Sequence, residues 1–571
     1  MIKSGLMGVI CLLALKLSAP AYGTELVSAN KEGTDAGILP STVQSISGDG
    51  RYVVFVSRAP DLVAQFGFAG TLNVFVRDLL LHTNRLVSVN RFNSAAGDGD
   101  SHDAVISRNG RFVAFVSGAN DLVLNDSNEQ EDVFVRDLLL GTTRMISINR
   151  LATSGGNGPS GSPSISADGR LIAFTSDASD LVTFPLDNNQ TTDVFVRDTQ
   201  TGTTTMLSVN KLGSNSANGR SAHPVISQNG ARVAFTSWAN DVTTTPDANN
   251  ASDIFLRDIA SGATTHISVN RLGTAAGNGG SDSAVLDFTG GTVAFSSLAN
   301  DLVLSDFNNA SDVFVRKVSA GQTTLISRNR LGTATANGPS YAASIDDAGN
   351  VIAFQSDATD LVFFDNNDAT DVFVRQLSAS TNALISVSYV GSGSAHGASI
   401  RPVISANGAA VVFQSLAEDL LPTDSNQAWD VYLRRLESPT NRLVSLNRER
   451  TASGFDASFN PVINTNGLVV AFDSDARNLT LIAPAVIPQV YAFTLPASGL
   501  GDFASALTIQ AKAASIVLSW STDLEGFQLQ SRSVTDSGGW SAVIGTPVIR
   551  GGNYMLTNRP AGAQFYRLAK P

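Results

Sequence analysis

The 571-residue chain contains one cysteine and five histidines, and only 15% of it is charged, against roughly 25% in an average soluble domain. The cysteine, Cys11, sits in the apolar run at the N-terminus. The rest of the chain therefore has no thiol for a disulfide, a nucleophile or a zinc site. Beyond that run no stretch reaches 18 apolar residues, which excludes a helical membrane span. Positive charge is scarce too: 38 Lys and Arg stand against 50 Asp and Glu, a formal charge of −12. Such a surface repels phosphate backbones, so nucleic acid is not an expected partner. Apolar residues, by contrast, make up 43%, which excludes global disorder.

The N-terminus reads as an address. Lys3 precedes Leu6-Met7-Gly8-Val9-Ile10-Cys11-Leu12-Leu13-Ala14-Leu15, and small residues lead to Ala21-Tyr22-Gly23. A charged start, an apolar centre and a small-residue end form a secretory signal, expected over residues 1–23 with cleavage after Gly23. Lys16 leaves the run too short for an anchor, and Ile10 is not the small residue that a lipoprotein signal places before its cysteine. Loss of Lys3 and Lys16 takes the charge to −14. The expected location is periplasmic or secreted.

The rest is one unit written eight times. The Phe of a V-A-F-like core recurs as Phe55, Phe115, Phe174, Phe235, Phe295, Phe354, Phe413 and Phe472, at steps of 59 to 61 residues. A D-V-F-V-R segment and an I-S-V-N segment recur in step with it. In the second unit, strands are expected at Ala104-Val105-Ile106-Ser107, at Phe112 to Ser117, at Asp132 to Arg136 and at Met145-Ile146-Ser147-Ile148-Asn149. Four short strands repeated eight times predict an all-β fold, an eight-bladed β-propeller of four-stranded antiparallel blades over residues 24–497. A solenoid is the alternative. The eighth unit lacks its I-S-V-N strand, and Thr24-Glu25-Leu26-Val27-Ser28-Ala29-Asn30 matches it, so residues 24–30 are expected to complete the last blade and close the ring.

The turn signature Ser47-Gly48-Asp49-Gly50-Arg51-Tyr52-Val53-Val54-Phe55, repeated as Ser166-Ala167-Asp168-Gly169-Arg170-Leu171-Ile172-Ala173-Phe174, resembles the TolB-type propeller repeat. The resemblance implies the fold and leaves function open, because that family includes binding proteins, assembly scaffolds and non-catalytic peptidase domains. These units are longer than typical TolB-type blades, and the extra length lies in loops.

Alternation of strand direction puts the long loops, between strands two and three and between blades, on one face, where binding residues concentrate. The loop between strands two and three carries D-x-N-x-x-x-D six times. The sets are Asp126, Asn128 and Asp132; Asp187, Asn189 and Asp193; Asp247, Asn249 and Asp253; Asp306, Asn308 and Asp312; Asp365, Asn367 and Asp371; and Asp424, Asn426 and Asp430. Alternating oxygen side chains suit a hard cation such as Ca²⁺; they equally suit turns that cap their own backbone. In units one and eight Phe66-Gly67-Phe68 and Ile482-Ala483-Pro484 stand there instead. The third-strand arginines (Arg77, Arg136, Arg197, Arg257, Arg316, Arg375, Arg434) are expected to pair with recurring aspartates such as Asp121 or Asp180.

Catalysis should show as a departure from the repeat. His102, His223 and His396 precede first strands, without zinc spacing, and no G-x-S-x-G elbow occurs. Residues from about 503 to 571 alternate in short strands around Trp520 and Trp540, which predicts a small β-sandwich; it looks like the fibronectin-III-like modules of exported bacterial proteins. The expectation is an exported binding or scaffold propeller whose protein or glycan ligand meets the long-loop face. The alternative is an exported hydrolase of polysaccharide or peptide with its site at the axial channel.

Overall fold

The computed structural model describes residues 23–64, 70–379, 381–391, 393–482 and 487–495, and further along the strands within 508–569. Residues 1–22 of the expected leader, Phe66-Gly67-Phe68 and Ala483-Pro484 lie outside the described residues. The chain divides into two units, Met1–Leu495 and Pro496–Pro571.

In the first unit each repeat alternates aromatic and β-branched residues, so each blade has two different apolar faces. In the second blade Phe115 and Phe134 lie on one face; Ala114, Val116, Val133 and Val135 lie on the other. The small-residue face packs on Ile172, Phe174 and Phe195 of the third blade. Every blade stacks its aromatic pair across strands two and three, as Phe174 and Phe195 do at 5.7 Å between centroids. A fully buried aromatic of this kind contributes about 1.5–3 kcal/mol, and the pair recurs eight times.

The eight sheets are four-stranded and antiparallel. The second comprises Ser101–Ile106, Phe112–Ser117, Asp132–Asp137 and Thr142–Met145, from the axis outward. The last comprises Ser458–Ile463, Val469–Ser474, Gln489–Thr494 and, as its outer member, Gly23–Leu26 from the other end of the chain. Thr24 pairs with Phe493 and Leu26 with Tyr491. Small and aliphatic residues of this blade (Ala471, Val490, Ala492) pack on Phe55 and Phe75 of the first. The architecture is a closed eight-bladed propeller, not a solenoid.

A girdle of backbone hydrogen bonds on the tight-turn side also runs the whole way round. The N–H groups of Gly48, Asn109, Ala167, Asn229, Phe288, Asp347, Asn407 and Thr465 each donate to the carbonyl of the adjoining blade's turn, the last of them to Gly48 at 3.2 Å. The turn itself is built by the S-x-D-G-R sequence. Ser166 Oγ donates to Asp168 Oδ1, the N–H of Arg170 donates to the same oxygen, and Gly169 takes φ 76°. A Cβ on Gly169 would lie 2.2 Å from the Phe112 ring of the preceding blade, so glycine is required twice over.

The outer strands are displaced from their expected positions. In the second blade the ladder runs over Thr142–Met145, and I-S-I-N leaves it. Ser147 is the cause: its Oγ donates to Asp132 Oδ1 (2.5 Å) and accepts the Val133 N–H (2.9 Å). That side chain takes the place of a backbone partner and turns the chain toward the next blade. The first strand likewise starts earlier than expected, at Ser101.

The second unit has two antiparallel sheets. One orders Thr508–Lys512, Ser515–Ser521, Asn553–Asn558 and Val548–Arg550; the other orders Ser541–Ala542, Gln528–Ser533 and Gln564–Ala569. Among the described residues no helix is long and apolar enough to cross a membrane.

Candidate functional site: the long-loop face and the axial cup

The two kinds of long loop lie together and interlock. The Asp of each A-x-D-L segment accepts a backbone N–H from the interblade loop: Asp121 from Asp98, Asp180 from Asn157, Asp241 from Asn218 and Asp301 from Asn278, at 2.9–3.1 Å. This overturns the expected pairing of these aspartates with the third-strand arginines. Arg136, Arg197, Arg257 and Arg316 instead donate to Thr143, Thr204, Thr264 and Thr323 of their own outer strands, at 2.7–2.9 Å. Arg77 meets a carboxylate, that of Glu25.

In each D-x-N-x-x-x-D loop the asparagine acts as a strut. Asn128 Nδ2 donates to Asp132 Oδ2 (2.7 Å) and to the Gly156 carbonyl (2.8 Å), and Asn128 Oδ1 accepts the Gln130 N–H. Asn189, Asn249, Asn308, Asn367 and Asn426 tie in the same way to the carbonyls of Ala217, Gly277, Ala336, Ala395 and Gly454. In four of the six loops the aspartates are left with orphaned oxygens. Oδ1 of Asp126, Asp306, Asp365 and Asp424 and Oδ2 of Asp312, Asp371 and Asp430 have no hydrogen-bond partner. Burial pushes Asp126 up to about 7 and Asp132 to about 6, with the Asp132 charge adding to the rise at Asp126. Asp187 and Asp193 rise to about 6 and 7, and Asp306 and Asp312 likewise, again mainly through burial. Asp247 and Asp365 move up for the same reason, and Asp371 reaches about 8. Among the described residues no three His, Cys, Asp or Glu side chains come together to hold a metal ion.

The innermost strands form the axial wall, and each carries a bulge that breaks its register with strand two, as between His102 and Val105. Seven of the eight bulges place a non-glycine residue at positive φ, between 48° and 55°: Asp103, Ser162, His223, Ser283, Ala342, Arg401 and Asn460. All but the half-buried Asn460 are exposed, so these side chains face the lumen. Strain of this kind collects at functional positions. Here the repeat loses its identity: an acid, a base, hydroxyls, an amide and an imidazole occupy equivalent places. Ala342, Arg401, Val285 and Val403 line a cavity of about 550 Å³ within this wall.

The other end of the channel is bridged by an ion pair. Arg108 in the tight turn of the second blade reaches across the axis to Asp347 in the turn of the sixth, four blades away, at 2.7 Å. Its guanidinium also lies 5.6 Å from the centre of the Phe288 ring of the fifth blade. The axial space is therefore a cup that opens on the long-loop face.

The expected histidine positions divide. His102 lies within its first strand, between Asp103 Oδ2 (3.4 Å) and Glu131 Oε1 (3.0 Å). The Asp103 hydrogen bond and then that of Glu131 push it up to about 9. It is a cation at neutral pH and no general base. His223 is the bulge residue of the fourth blade, and His396 is an exposed loop residue beside Asp419 (3.3 Å). Sequence reasoning missed His266, which replaces an aliphatic residue of the outer strand. It is buried against Phe255, 3.2 Å from Asp253. Alignment of Met145, Met206 and His266 within the repeat would have revealed it.

No family model matches the sequence, and no curated protein matches it. Solved structures to which the chain is similar, each at low identity, include the following. TolB from Acinetobacter baumannii is 12% identical over 60% of this chain and 62% of that one, at a TM-score of 0.30. The oligogalacturonate lyase of Vibrio parahaemolyticus is 12% identical over 69% and 93%, at 0.40. The β-propeller domain of the Trilobed protease from Pyrococcus furiosus is 10% identical over 69% and 95%, at 0.39.

Proposed function

We propose that the chain is an exported binding or scaffold propeller whose protein or glycan ligand enters the axial cup from the long-loop face. The N-terminal leader supplies the export, and the second unit serves as an attachment or spacing module of fibronectin-III-like type. One observation carries the reading. The fold is otherwise periodic, yet the exposed bulge residues Asp103, His223, Ser283 and Arg401 differ from blade to blade, above a base bridged by Arg108 and Asp347. Such a cup holds the end of a ligand; it does not thread one. A hydrolase reading gains nothing from His102, which is held protonated. The test is a glycan and protein array probed with residues 24–571. Any ligand found should bind at least tenfold more weakly to Arg401→Ala or His223→Ala, both exposed in the lumen, with the melting temperature unchanged. A ligand indifferent to both variants would place recognition elsewhere.

The same reading takes the aspartate pairs as seats for Ca²⁺, up to six in number. Calcium is a hard cation that takes carboxylate oxygens, and the orphaned oxygens at Asp126, Asp306, Asp312, Asp365, Asp371, Asp424 and Asp430 supply them in four of the loops, with the asparagine as the strut that holds the loop. Binding to the folded state alone raises stability by about 2.7 kcal/mol per site at a hundredfold excess over Kd. The expected result is a melting temperature that climbs with millimolar Ca²⁺, returns with EDTA, and climbs less in Asp126→Asn. An unchanged melt at pH 8 would leave the pairs as turn caps.

A further inference from the structure

Two clefts between neighbouring blades have a third-strand arginine in their lining, Arg77 in one and Arg316 in the other. The cleft before the fifth blade has a volume of about 590 Å³, and Arg271, Leu272, Leu302, Val303, Leu304 and Arg316 line it. No carboxylate is among its lining residues. Leu272 and Leu304 are 69% and 75% exposed at its lip. Arg316 gives one N–H to Thr323, and its Nε is buried with no partner. Arg197 and Arg257 are held in the same way by one threonine each. Burial pushes all three guanidinium groups down, with no carboxylate to hold them up. This is unusual for the chain, whose tight-turn arginines Arg51, Arg111, Arg170 and Arg232 all face an aspartate.

The first blade shows what such an arginine takes. There Glu25 of the closing strand enters the cleft, and its Oε1 accepts from Arg77 Nε at 3.1 Å and Nη2 at 2.7 Å. The positions equivalent to Glu25 in the other blades include Arg85, Arg144, Thr205, Thr265 and Thr324, none of them acidic. The protein thus fills one cleft with its own carboxylate and leaves the counterparts at Arg197, Arg257 and Arg316 with unspent donors.

We propose that the rim cleft floored by Arg316, and the equivalent positions at Arg197 and Arg257, are receptors for a carboxylate carried on an aliphatic group. The carboxylate takes the place that Glu25 takes at Arg77, as an oxyanion on a planar fork of N–H donors. The aliphatic part lies against Leu272, Val303 and Leu304 and removes their exposed surface from water. Two sources carry this chemistry, a short fatty acid and the C-terminal residue of a peptide, and octanoate and N-acetyl-leucine represent them. These sites stand at the rim, separate from the axial cup, and do not depend on what the cup binds.

The experiment is calorimetric titration of residues 24–571, in EDTA, with octanoate, N-acetyl-leucine and the neutral octanamide. Saturable binding of at least one carboxylate at several equivalents per chain is expected, with octanamide bound at least tenfold more weakly. The stronger of the two carboxylates identifies the source. Arg316→Gln should lower the stoichiometry by one, and the triple variant at Arg197, Arg257 and Arg316 by three, without change in the affinity of the sites left. Glu25→Gln frees Arg77 and should raise the stoichiometry by one, a gain that no loss of folding can imitate. Equal binding of octanamide, or a stoichiometry that none of these substitutions moves, overturns the proposal.

Discussion

Removal of residues 24–30 is expected to abolish the folded ring at 37 °C. Leu26, Val27 and Ala29 are at most 3% exposed, and burial of a Val or Leu side chain contributes about 1.5–3 kcal/mol. Ser28 Oγ donates to Gln489 Oε1 (2.5 Å) and accepts the Val490 N–H (3.0 Å). Glu25 neutralises the buried Arg77. Together these terms approach the 5–15 kcal/mol that separates a folded domain from its unfolded chain. The loss is also structural, since Gln489–Thr494 would become a bare edge able to pair with other chains. Differential scanning and size-exclusion chromatography should show a truncated chain that melts at least 10 °C lower or elutes as aggregate. Addition of the seven-residue peptide in trans should restore part of the loss. A truncated chain that melts with the parent would mean that the turn girdle, not the strand, holds the seam.

That the N-terminus would close the last blade was legible because a periodic sequence exposes its own gap: one strand missing at one end, one surplus strand at the other. The blade count and the inner three strands followed from the same periodicity. The outer strand did not. I-S-V-N has the better β-pattern, but Ser147 is spent on Asp132, so the ladder falls to the plainer Thr142–Met145. The arginines were misassigned because the sequence places Asp121 and Asp180 within plausible reach and cannot show that loop N–H groups have already claimed them. The bridged base was invisible for a different reason. Arg108 and Asp347 meet only because a ring of eight sets the second and sixth blades opposite each other, and a list of equivalent positions carries no information about diameters. The bulge residues lay within the first strands, but nothing local marks a non-glycine residue for positive φ.

A second large effect concerns pH, and it centres on Asp473 at the seam. At this position the sixth and seventh blades carry Gln355 and Gln414, which accept the backbone N–H of Arg401 and Asn460 from the next blade, at 2.7 and 3.1 Å. The last blade has an aspartate instead. Its Oδ1 accepts the Val43 N–H (2.7 Å) and its Oδ2 accepts from Asn460 Nδ2 (2.9 Å), with no exposed surface. Burial is the dominant influence; with Asp475 adding to it, it outweighs both hydrogen bonds and the more distant Arg401, and lifts the group to about 7. A folded-state value above the unfolded one, near 3.9, means that the folded chain holds the proton more tightly. The contribution is complete below about pH 4 and is lost as pH rises through 7, at up to about 1.4 kcal/mol per unit. The aspartate pairs of the long loops act in the same direction, so the melt of the parent in EDTA should fall between pH 5 and pH 8. Asp473→Asn isolates the seam. It keeps an acceptor for Val43 and removes the titration, so its melting temperature relative to the parent should rise steadily from pH 5 to pH 8, whatever fixed cost the new amide brings. A constant difference across that range would show Asp473 to be ionised throughout, and the seam to be held as firmly with the charge as without it.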